Sequence, residues 1–250
     1  MNILGIDIGG SSIKGAIVDV ESGRLCSQQV EMTTPQPATP QAVVEVVDQL
    51  VHLCQWSGSI GCGFPAVIQS GVAKTAANID VGWIDTDVQK LIQNKTGCPC
   101  FVVNDADAAG LAEVRFGAGV GRMGTVLILT LGTGIGSALF HQGKLFPNLE
   151  LGSLYFEGAP IERYASAAVR TKENLSWEAW SKRLTVFLQQ VERLLAPDLI
   201  IIGGGVSSRH EHYFPYLKTP AELIPARLFN QAGIVGAASY AAENELQNLN

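Results

Sequence analysis

Two glycine-rich turns, each between apolar stretches, are the segments of this chain that most strongly predict chemistry. The first follows Asp7 and the second follows Leu131 in the 250-residue sequence. Glycine lets backbone N–H groups face an anion at close range, although one such turn alone usually only connects two strands. Because there are two, we predict a duplicated fold with a phosphate-binding cleft between its halves. The candidate phosphate-binding residues in these turns are Gly9, Gly10, Ser11, Ser12, Gly132, Thr133, Gly134 and Gly136.

Two charged residues flank the first turn. Asp7 precedes it, where a carboxylate can hold Mg²⁺ directly or through water beside phosphates. A turn-forming aspartate fits the same position equally well. Lys14 follows the turn and can meet phosphate as a point charge, but taken alone it is more typical of a solvated lysine at a strand edge.

A pair of acidic residues, Asp105 and Asp107, follows an apolar stretch that predicts a buried strand. The carboxyl ends of strands line the ligand crevices of open α/β sheets. Asp105 is therefore predicted to act as a general base that takes the proton of a substrate hydroxyl. Asp107 is predicted to cap the helix that follows. Glu150, in a loop after the second turn, is either an acceptor for sugar hydroxyls or a solvated loop residue.

Residues 158–184 are locally basic in an acidic chain. This segment carries either a path for an anion or an ordinary solvated helix face, and both fit the pattern equally. Its basic residues are Arg163, Arg170, Lys172, Lys182 and Arg183, against the acidic residues Glu162, Glu173 and Glu178.

The elements that must position these residues alternate between strand and helix patterns, which predicts α/β lobes. Strands are predicted at residues 2–8, 13–19, 24–31, 59–65, 100–104, 124–131, 135–140 and 198–205. Helices are predicted at 43–53 (with Thr39 as N-cap and Pro40 as first helical residue), 86–95, from 105 onward, 176–195 and 232–245. We expect one lobe from residues 1–107 plus 232–250 and a second from residues 108–231.

The composition narrows the class of protein. A net charge of −6 argues against non-specific nucleic-acid binding, and no apolar run approaches the roughly 18–20 residues of a membrane span. Five cysteines form neither a disulfide framework nor a zinc set. With no signal-peptide pattern at the first strand, we expect a cytoplasmic protein that binds neither nucleic acid nor membrane.

Taken together, the motifs resemble those of the ROK sugar kinases along nearly the whole chain. The segments that carry the resemblance include GIDIGGSSIKG at 5–15, NDADAAGLAE at 104–113 and GTGIGSA at 132–138. Residues 34–40, 75–78, 197–207 and 232–238 complete it. Each glycine turn alone is weak, whereas the joint pattern is specific.

The resemblance implies an actin-like (ribonuclease H-like) two-lobed fold and transfer of a terminal phosphoryl group from polyphosphate and/or ATP to the 6-hydroxyl of glucose or mannose. It implies Mg²⁺ with the donor and a homodimer, and it makes Asp105 the base and Lys14 part of the first phosphate motif. The positions matching sugar-binding residues are Asn78, Asn104, Glu150 and Glu162, while Gly204 and Gly205 match the turn on the adenosine side of ATP-using relatives.

One departure from the family pattern bears on function. The family motif Glu-x-Gly-His reads Glu150-Leu151-Gly152-Ser153 here, so the shorter Ser153 stands where a histidine normally contacts sugar. No cysteine follows Cys100, and we therefore expect no zinc. The alternative to an active kinase is a weakened or inactive homologue that acts as a sugar-binding or regulatory protein.

Overall fold

A computed structural model describes residues 1–77 and 79–248 and divides them into two compact units. The first unit comprises Met1–Arg115 with Gln231–Asn250, and the second comprises Phe116–Asn230. Each unit has its own mixed sheet and its own apolar core. No helix within the described ranges is both long and apolar enough to cross a membrane.

The first unit is built on a six-stranded sheet. Up to the end of its third helix, its elements are β1 (Asn2–Ile8), β2 (Ser12–Asp19), β3 (Arg24–Leu25), β4 (Val30–Thr33), α1 (Pro40–Leu53), β5 (Ile60–Phe64), β6 (Ile68–Gln69), β7 (Val72–Ala73), α2 (Val88–Thr96), β8 (Cys100–Asn104) and α3 (Asp105–Phe116).

The order β3-β2-β1-β5-β8 decides which residues of this sheet meet. The first glycine turn joins the antiparallel pair β1 and β2, and β1, β5 and β8 run parallel. The carboxyl ends of three neighbouring strands therefore lie at one edge of the sheet. Asp7, Gly63 and Asn104 come to that edge from β1, β5 and β8.

The predicted strand over residues 24–31 is wrong in one respect, because the structure has two short strands there instead of one. β3 pairs with β2 near Val18, and β4 pairs with β2 near Ser12. Between them the Ser27 hydroxyl accepts a hydrogen bond from the Ile17 backbone N–H at 3.0 Å. The Ser27 hydroxyl thus occupies the place of the backbone carbonyl that would accept this hydrogen bond if the strand were continuous.

The second unit is built on a five-stranded sheet in the order β11-β10-β9-β14-β15. Its elements are β9 (Thr125–Leu131), β10 (Ile135–His141), β11 (Lys144–Phe146), β12 (Tyr155–Phe156), β13 (Ala159–Pro160), α4 (Glu162–Ala165), α5 (Ala167–Lys172), α6 (Trp177–Leu195), β14 (Leu199–Gly203) and β15 (Glu222–Pro225). The predicted helix over 176–195 is confirmed, with Ser176 as its N-cap.

The two sheets share one topological motif, which confirms the predicted repetition. In each, a glycine turn joins an antiparallel strand pair, and the first strand of that pair has a parallel neighbour on its other side. The motif is β2-β1-β5 in the first unit and β10-β9-β14 in the second.

The last helix, α7 (Ala232–Asn248), belongs to the first unit. It lies so close to the sheet that a Cβ on Gly5 would overlap the Ile234 carbonyl, and one on Gly61 would overlap the Ala237 carbonyl. Strand glycines that allow such an approach bring the helix backbone directly against the sheet. This packing places the first turn of α7 next to the end of β1.

Candidate functional site

The first glycine turn is held in place by residues 34–40, a segment with three prolines. The Thr34 hydroxyl donates to the Gly9 carbonyl at 2.6 Å, and the Gln36 side-chain amide donates to the Gly10 carbonyl at 3.3 Å. The Thr34 backbone N–H donates to the Ser11 carbonyl at 3.1 Å. Carbonyl oxygens repel anions, and here they are held by donors from within the chain. This arrangement suits a turn that offers N–H groups to a phosphate.

Asp7 and Lys14 form a cross-strand pair at the base of this turn. They are directly opposite in the antiparallel register of β1 and β2. Burial raises the pKa of Asp7, and the Lys14 charge lowers it in part. Lys14 also lies 3.7 Å from the Glu31 carboxylate on β4. The lysine is therefore not a freely solvated strand-edge residue, since it forms an ion pair with Glu31 on one neighbouring strand and its charge acts on Asp7 on the other.

Two glycines shape the surroundings of Asp7. A Cβ on Gly233, in the first turn of α7, would lie 2.6 Å from the Asp7 Cγ, so only glycine leaves room for the carboxylate there. A Cβ on Gly63 would lie 3.8 Å from the Asp7 Oδ1 and 3.7 Å from the Asp105 Cα. Asp7 and Asp105 thus flank the same glycine at one edge of the sheet.

Asn104 caps the helix that carries Asp105. Its Oδ1 accepts hydrogen bonds from the backbone N–H groups of Ala106 at 2.9 Å and Asp107 at 3.1 Å, and its Nδ2 donates to the Ala66 carbonyl at 3.1 Å. The prediction that Asp107 is the N-cap is wrong, because α3 begins two residues earlier and Asp107 is fully buried in its first turn. An amide at the strand end satisfies the first helical N–H groups before Asp107 is reached.

Asp105 is the first residue of α3. Its Oδ1 accepts a hydrogen bond at 2.8 Å from the Ala106 N–H, which belongs to the first turn of the helix. A carboxylate held by one oxygen in this way keeps a fixed orientation. Such a group can accept a proton from a hydroxyl placed within hydrogen-bond reach.

The carboxylates of the first unit are compatible with the predicted magnesium ion. Within residues 1–77 and 79–248 no group of three or more His, Cys, Asp or Glu side chains could enclose a metal ion. Magnesium usually takes one or two carboxylates and completes its shell with substrate phosphates and water. A single partly buried carboxylate, Asp7, beside a glycine turn fits that mode of binding.

In the second unit, Glu162 is fixed against the second glycine turn. Its Oε2 accepts a hydrogen bond from the Ile135 backbone N–H at 3.2 Å, and a Cβ on Gly134 would overlap that same oxygen. The Gly132 carbonyl in turn accepts from the Ala168 N–H at 3.0 Å. The predicted sugar-binding carboxylate and the predicted phosphate turn are therefore in direct contact.

Glu150 lies close to Glu162. Burial raises the pKa of Glu150, and the Glu162 charge raises it further. The Ser153 N–H donates to the Glu150 carbonyl at 3.1 Å, which closes a tight turn with the exposed Ser153 at its end. The structure thus brings three predicted sugar-site residues together within the second unit.

The third glycine turn follows β14. Gly204 has φ +81°, and a Cβ there would overlap the backbone of Leu131 at the end of β9. Glycine is needed here both for its left-handed backbone and for the close approach. Gly204 consequently lies beside the strand that leads into the Gly132 turn, whereas a Cβ on Gly205 would meet no atom within 4 Å.

Asn78, a predicted sugar-binding residue, lies outside the described residues. Sequence reasoning missed Gly233 as the residue that makes room for Asp7, although its segment 232–238 was part of the family resemblance. Its only signal was glycine inside a predicted helix, where glycine is usually unfavourable.

Comparison with known proteins gives a consistent assignment. The model of the ROK family matches residues 3–148. A polyphosphate glucokinase of Mycobacterium tuberculosis (strain CDC 1551 / Oshkosh) is 45% identical over 94% of this chain and 89% of its own length. One from Mycobacterium leprae (strain TN) is 45% identical over 94% of this chain and 72% of its own length.

Solved structures agree. The inorganic polyphosphate/ATP-glucomannokinase from Arthrobacter sp. strain KM has a TM-score of 0.93 and 47% identity, covering 98% of this chain and 99% of its own. A ROK family glucokinase from Streptomyces griseus, solved with glucose and AMPPNP, has a TM-score of 0.83 and 24% identity, covering 97% and 100%. The second likeness supports the fold only. Together they confirm the predicted actin-like α/β fold.

Proposed function

This chain belongs to the ROK family, and from that premise we propose that it transfers the terminal phosphoryl group of polyphosphate and/or ATP to the 6-hydroxyl of glucose or mannose. The observation that carries the proposal is the placement of Asp105 beside Asp7, on either side of Gly63 at one sheet edge. The relatives named above supply the substrate class. Neither the described residues nor these relatives favour the alternative of an inactive sugar-binding protein.

In this proposal Asp105 is the general base. Its carboxylate accepts the proton of the sugar 6-hydroxyl as that oxygen attacks the terminal phosphorus of the donor, and the bond from that phosphorus to the bridging oxygen breaks, so that the shortened donor leaves with the bridging oxygen. The bond from the Ala106 N–H fixes the orientation of the carboxylate at the start of α3. Phosphoryl transfer depends mostly on positioning and charge stabilisation, so a rigidly held base is the main contribution of this residue.

The donor phosphates are assigned to the glycine turns and to Lys14, with Mg²⁺ held near Asp7. Bound there, Mg²⁺ would supply charge neutralisation for the donor. Asp7 is then a ligand whose neighbour Lys14 favours its ionised form. Gly204 and Gly205 are assigned to the remote end of the donor. The proposal includes a homodimer, as the family resemblance implies, and a cytoplasmic protein that binds no nucleic acid, as the composition and charge predict.

The sugar hydroxyls are assigned to Asn104, Glu150 and Glu162, together with Ser153 and with Asn78. Carboxylates accept hydrogen bonds from hydroxyl donors, and charge-assisted bonds of this kind are the stronger ones. The pKa of Glu150 is raised by burial and by Glu162. The ionised carboxylate is the stronger acceptor, so sugar binding is expected to weaken as the pH falls.

The test is a coupled assay of purified protein with glucose or mannose against ATP or polyphosphate, with and without Mg²⁺. Asp105→Asn is expected to lower kcat by about 10²–10⁴-fold, with the KM for sugar changed by less than about threefold, because an amide of the same shape cannot accept the proton. Unchanged kcat in Asp105→Asn would show that Asp105 is not the general base.

Asp85→Asn is the matched control. It makes the same chemical change in the first unit at an exposed residue, paired with Lys74 at 2.8 Å, and asparagine tolerates its positive φ. We expect wild-type kcat for this variant. If the wild-type protein phosphorylates neither sugar with either donor, the kinase proposal itself fails.

A further inference from the structure

We propose that Arg170 and Arg209, in the second unit, form a binding site for the non-reacting phosphate groups of a polyphosphate donor. The inference rests on the proposed function and deepens it, since it assigns the part of a long donor that extends beyond the glycine turns. For the basic segment 158–184, which fits either an anion path or a solvated helix face, the inference favours the anion path.

Arg170 is held in place before any ligand arrives. Its guanidinium carbon lies 3.4 Å from the centroid of the Trp177 ring, a cation–π contact. Trp177 is in turn stacked with His212 at 5.4 Å and with Tyr213 at 5.8 Å between ring centroids. A supported guanidinium loses little conformational freedom on binding, and its planar fork suits phosphate oxygens.

The two guanidinium groups lack acidic partners. Across the described ranges, neither Arg170 nor Arg209 makes an ion pair, and the buried Arg170 Nε makes no hydrogen bond. Neighbouring cations are paired differently, with Lys182 on Glu178 at 2.9 Å and Arg183 on Glu173 at 2.7 Å.

The two arginines are also close enough to repel. Burial lowers the pKa of Arg170, and the Arg209 charge lowers it further. Two like charges that form no ion pair are unfavourable in the free protein. An anion between them relieves that repulsion, which is the electrostatic arrangement expected of an anion site.

The position of the pair joins it to the proposed phosphate turn. α5 starts at the second glycine turn, where the Ala168 N–H donates to the Gly132 carbonyl at 3.0 Å, and Arg170 follows within the same helical turn. Arg209 lies in the Gly205–His212 segment, directly after Gly204, which abuts Leu131. Both arginines therefore come from segments that contact the start of the Gly132 turn, at Leu131 and Gly132.

The chemistry of the site favours a chain of phosphates over a nucleotide base. The Trp177 ring, the aromatic surface next to Arg170, already contacts Arg170, His212 and Tyr213. An adenine would have to displace these contacts in order to stack on it. A linear polyanion needs only the guanidinium groups, which bind phosphate oxygens by charge-assisted hydrogen bonds.

The test uses Arg209→Gln, Arg170→Gln and the double variant of the full chain. We expect the KM for long-chain polyphosphate to rise by about tenfold or more in the double variant, while the KM values for ATP and glucose change by less than about twofold. Arg209 is exposed and outside the aromatic stack, so Arg209→Gln keeps the test decisive if Arg170→Gln folds poorly. Lys182→Gln, which removes a paired cation on α6, is the control and is expected to behave as wild type.

Equilibrium binding of long-chain polyphosphate and of tripolyphosphate, measured without sugar, separates this inference from the proposed function. We expect the double variant to lose affinity for the long chain and to keep its affinity for tripolyphosphate. Equal long-chain affinity in wild type and double variant overturns the site even if the enzyme is fully active. Loss of ATP and polyphosphate use in parallel also overturns it, because it would place the arginines at the reacting end.

Discussion

Lys14 lies directly opposite Asp7 on the antiparallel strands β1 and β2, with a glycine turn between them. Burial raises the pKa of Asp7, and the Lys14 charge works against that rise. A group whose pKa is raised in the folded protein contributes stability at low pH and loses that contribution as the pH rises through its folded pKa. Ionised Asp7 therefore costs stability near neutral pH, and Lys14 reduces the cost.

Lys14→Gln is expected to raise the pKa of Asp7 further and to destabilise the protein more at about pH 7 than at about pH 4. The reason is that Lys14 compensates a carboxylate that is charged only at the higher pH. Urea denaturation at the two pH values measures the difference. Glu31→Gln is the matched control, since it removes the 3.7 Å ion pair of Lys14 and leaves Asp7 in place.

The same experiment in an Asp7→Asn background gives the decisive comparison. Without the Asp7 carboxylate, Lys14→Gln should cost no more at pH 7 than Glu31→Gln does. If the pH dependence persists in that background, Lys14 acts through another group and the interpretation of this pair is wrong.

Asn104→Ala is expected to lower stability by about 1–2 kcal/mol, because the helix cap and the bond to the Ala66 carbonyl are lost together. It is also expected to lower kcat, since Asp105 follows directly and the start of α3 fixes its orientation. Thermal or urea denaturation and steady-state kinetics measure the two effects. A rise in the KM for sugar without a fall in kcat would instead support Asn104 as a sugar ligand.

Ser176→Ala is the control that shows what the loss of a helix N-cap costs at a position outside the candidate site. Its hydroxyl accepts from the Ala179 N–H at 3.1 Å at the start of α6, and its loss should cost about 1 kcal/mol. We expect no change in kcat for this variant. A comparable fall in kcat in both variants would mean that general destabilisation explains the effect of Asn104→Ala.

Glu162→Gln is expected to lower the pKa of Glu150, because it removes the nearby charge that raises it. The pKa should stay above the usual glutamate value of 4.5, since burial, the larger cause, remains. Glutamine keeps an acceptor for the Ile135 N–H, so the turn is preserved. An NMR titration of the Glu150 side-chain carboxyl carbon reports the shift directly.

The exposed residue Glu178, on α6 of the same unit, supplies the control for that titration. Glu178→Gln should leave the Glu150 titration unchanged. An equal shift in both variants would show that Glu150 responds to overall charge and not to Glu162.

The sequence predicted most of the elements because their signals are local. The start of α1 is marked by the N-cap Thr39 and by Pro40 in the first turn, and the start of α6 is marked by the N-cap Ser176. A cap hydrogen bond and a proline ring both act within a few residues, so they can be recognised in the sequence. The division of residues 24–31 into two strands depended instead on Ser27 reaching the Ile17 N–H across the sheet. A local pattern does not contain that contact.

The candidate site divides in the same way. The glycine turns and Asp105 were predicted, since glycine and strand-end carboxylates have recognisable spacing. The contact between Glu162 and Gly134 joins residues from different elements, and so does the room that Gly233 leaves for Asp7. The N-cap of α3 was assigned to Asp107 and is Asn104, about one helical turn earlier. Asn and Asp are both good N-cap residues, and only the fold shows at which residue the helix begins.

The second glycine turn gives a prediction in which two neighbouring positions should behave differently. A Cβ on Gly132 would meet no atom within 4 Å, whereas a Cβ on Gly134 would overlap the Glu162 carboxylate. Gly132→Ala should therefore leave stability unchanged or raise it slightly, since alanine restricts the unfolded chain. It should raise the KM for the phosphate donor by about tenfold or more if backbone N–H groups contact phosphate there.

Gly134→Ala should act on the sugar instead. By displacing Glu162 it is expected to raise the KM for glucose and to lower stability, with a smaller effect on the KM for the donor. Steady-state kinetics with each substrate varied in turn, together with urea denaturation, distinguish the two variants. A methyl group on residue 132 would exclude phosphates from the open space next to this turn. If Gly132→Ala leaves the KM for ATP and for polyphosphate unchanged, the donor phosphates therefore do not lie there.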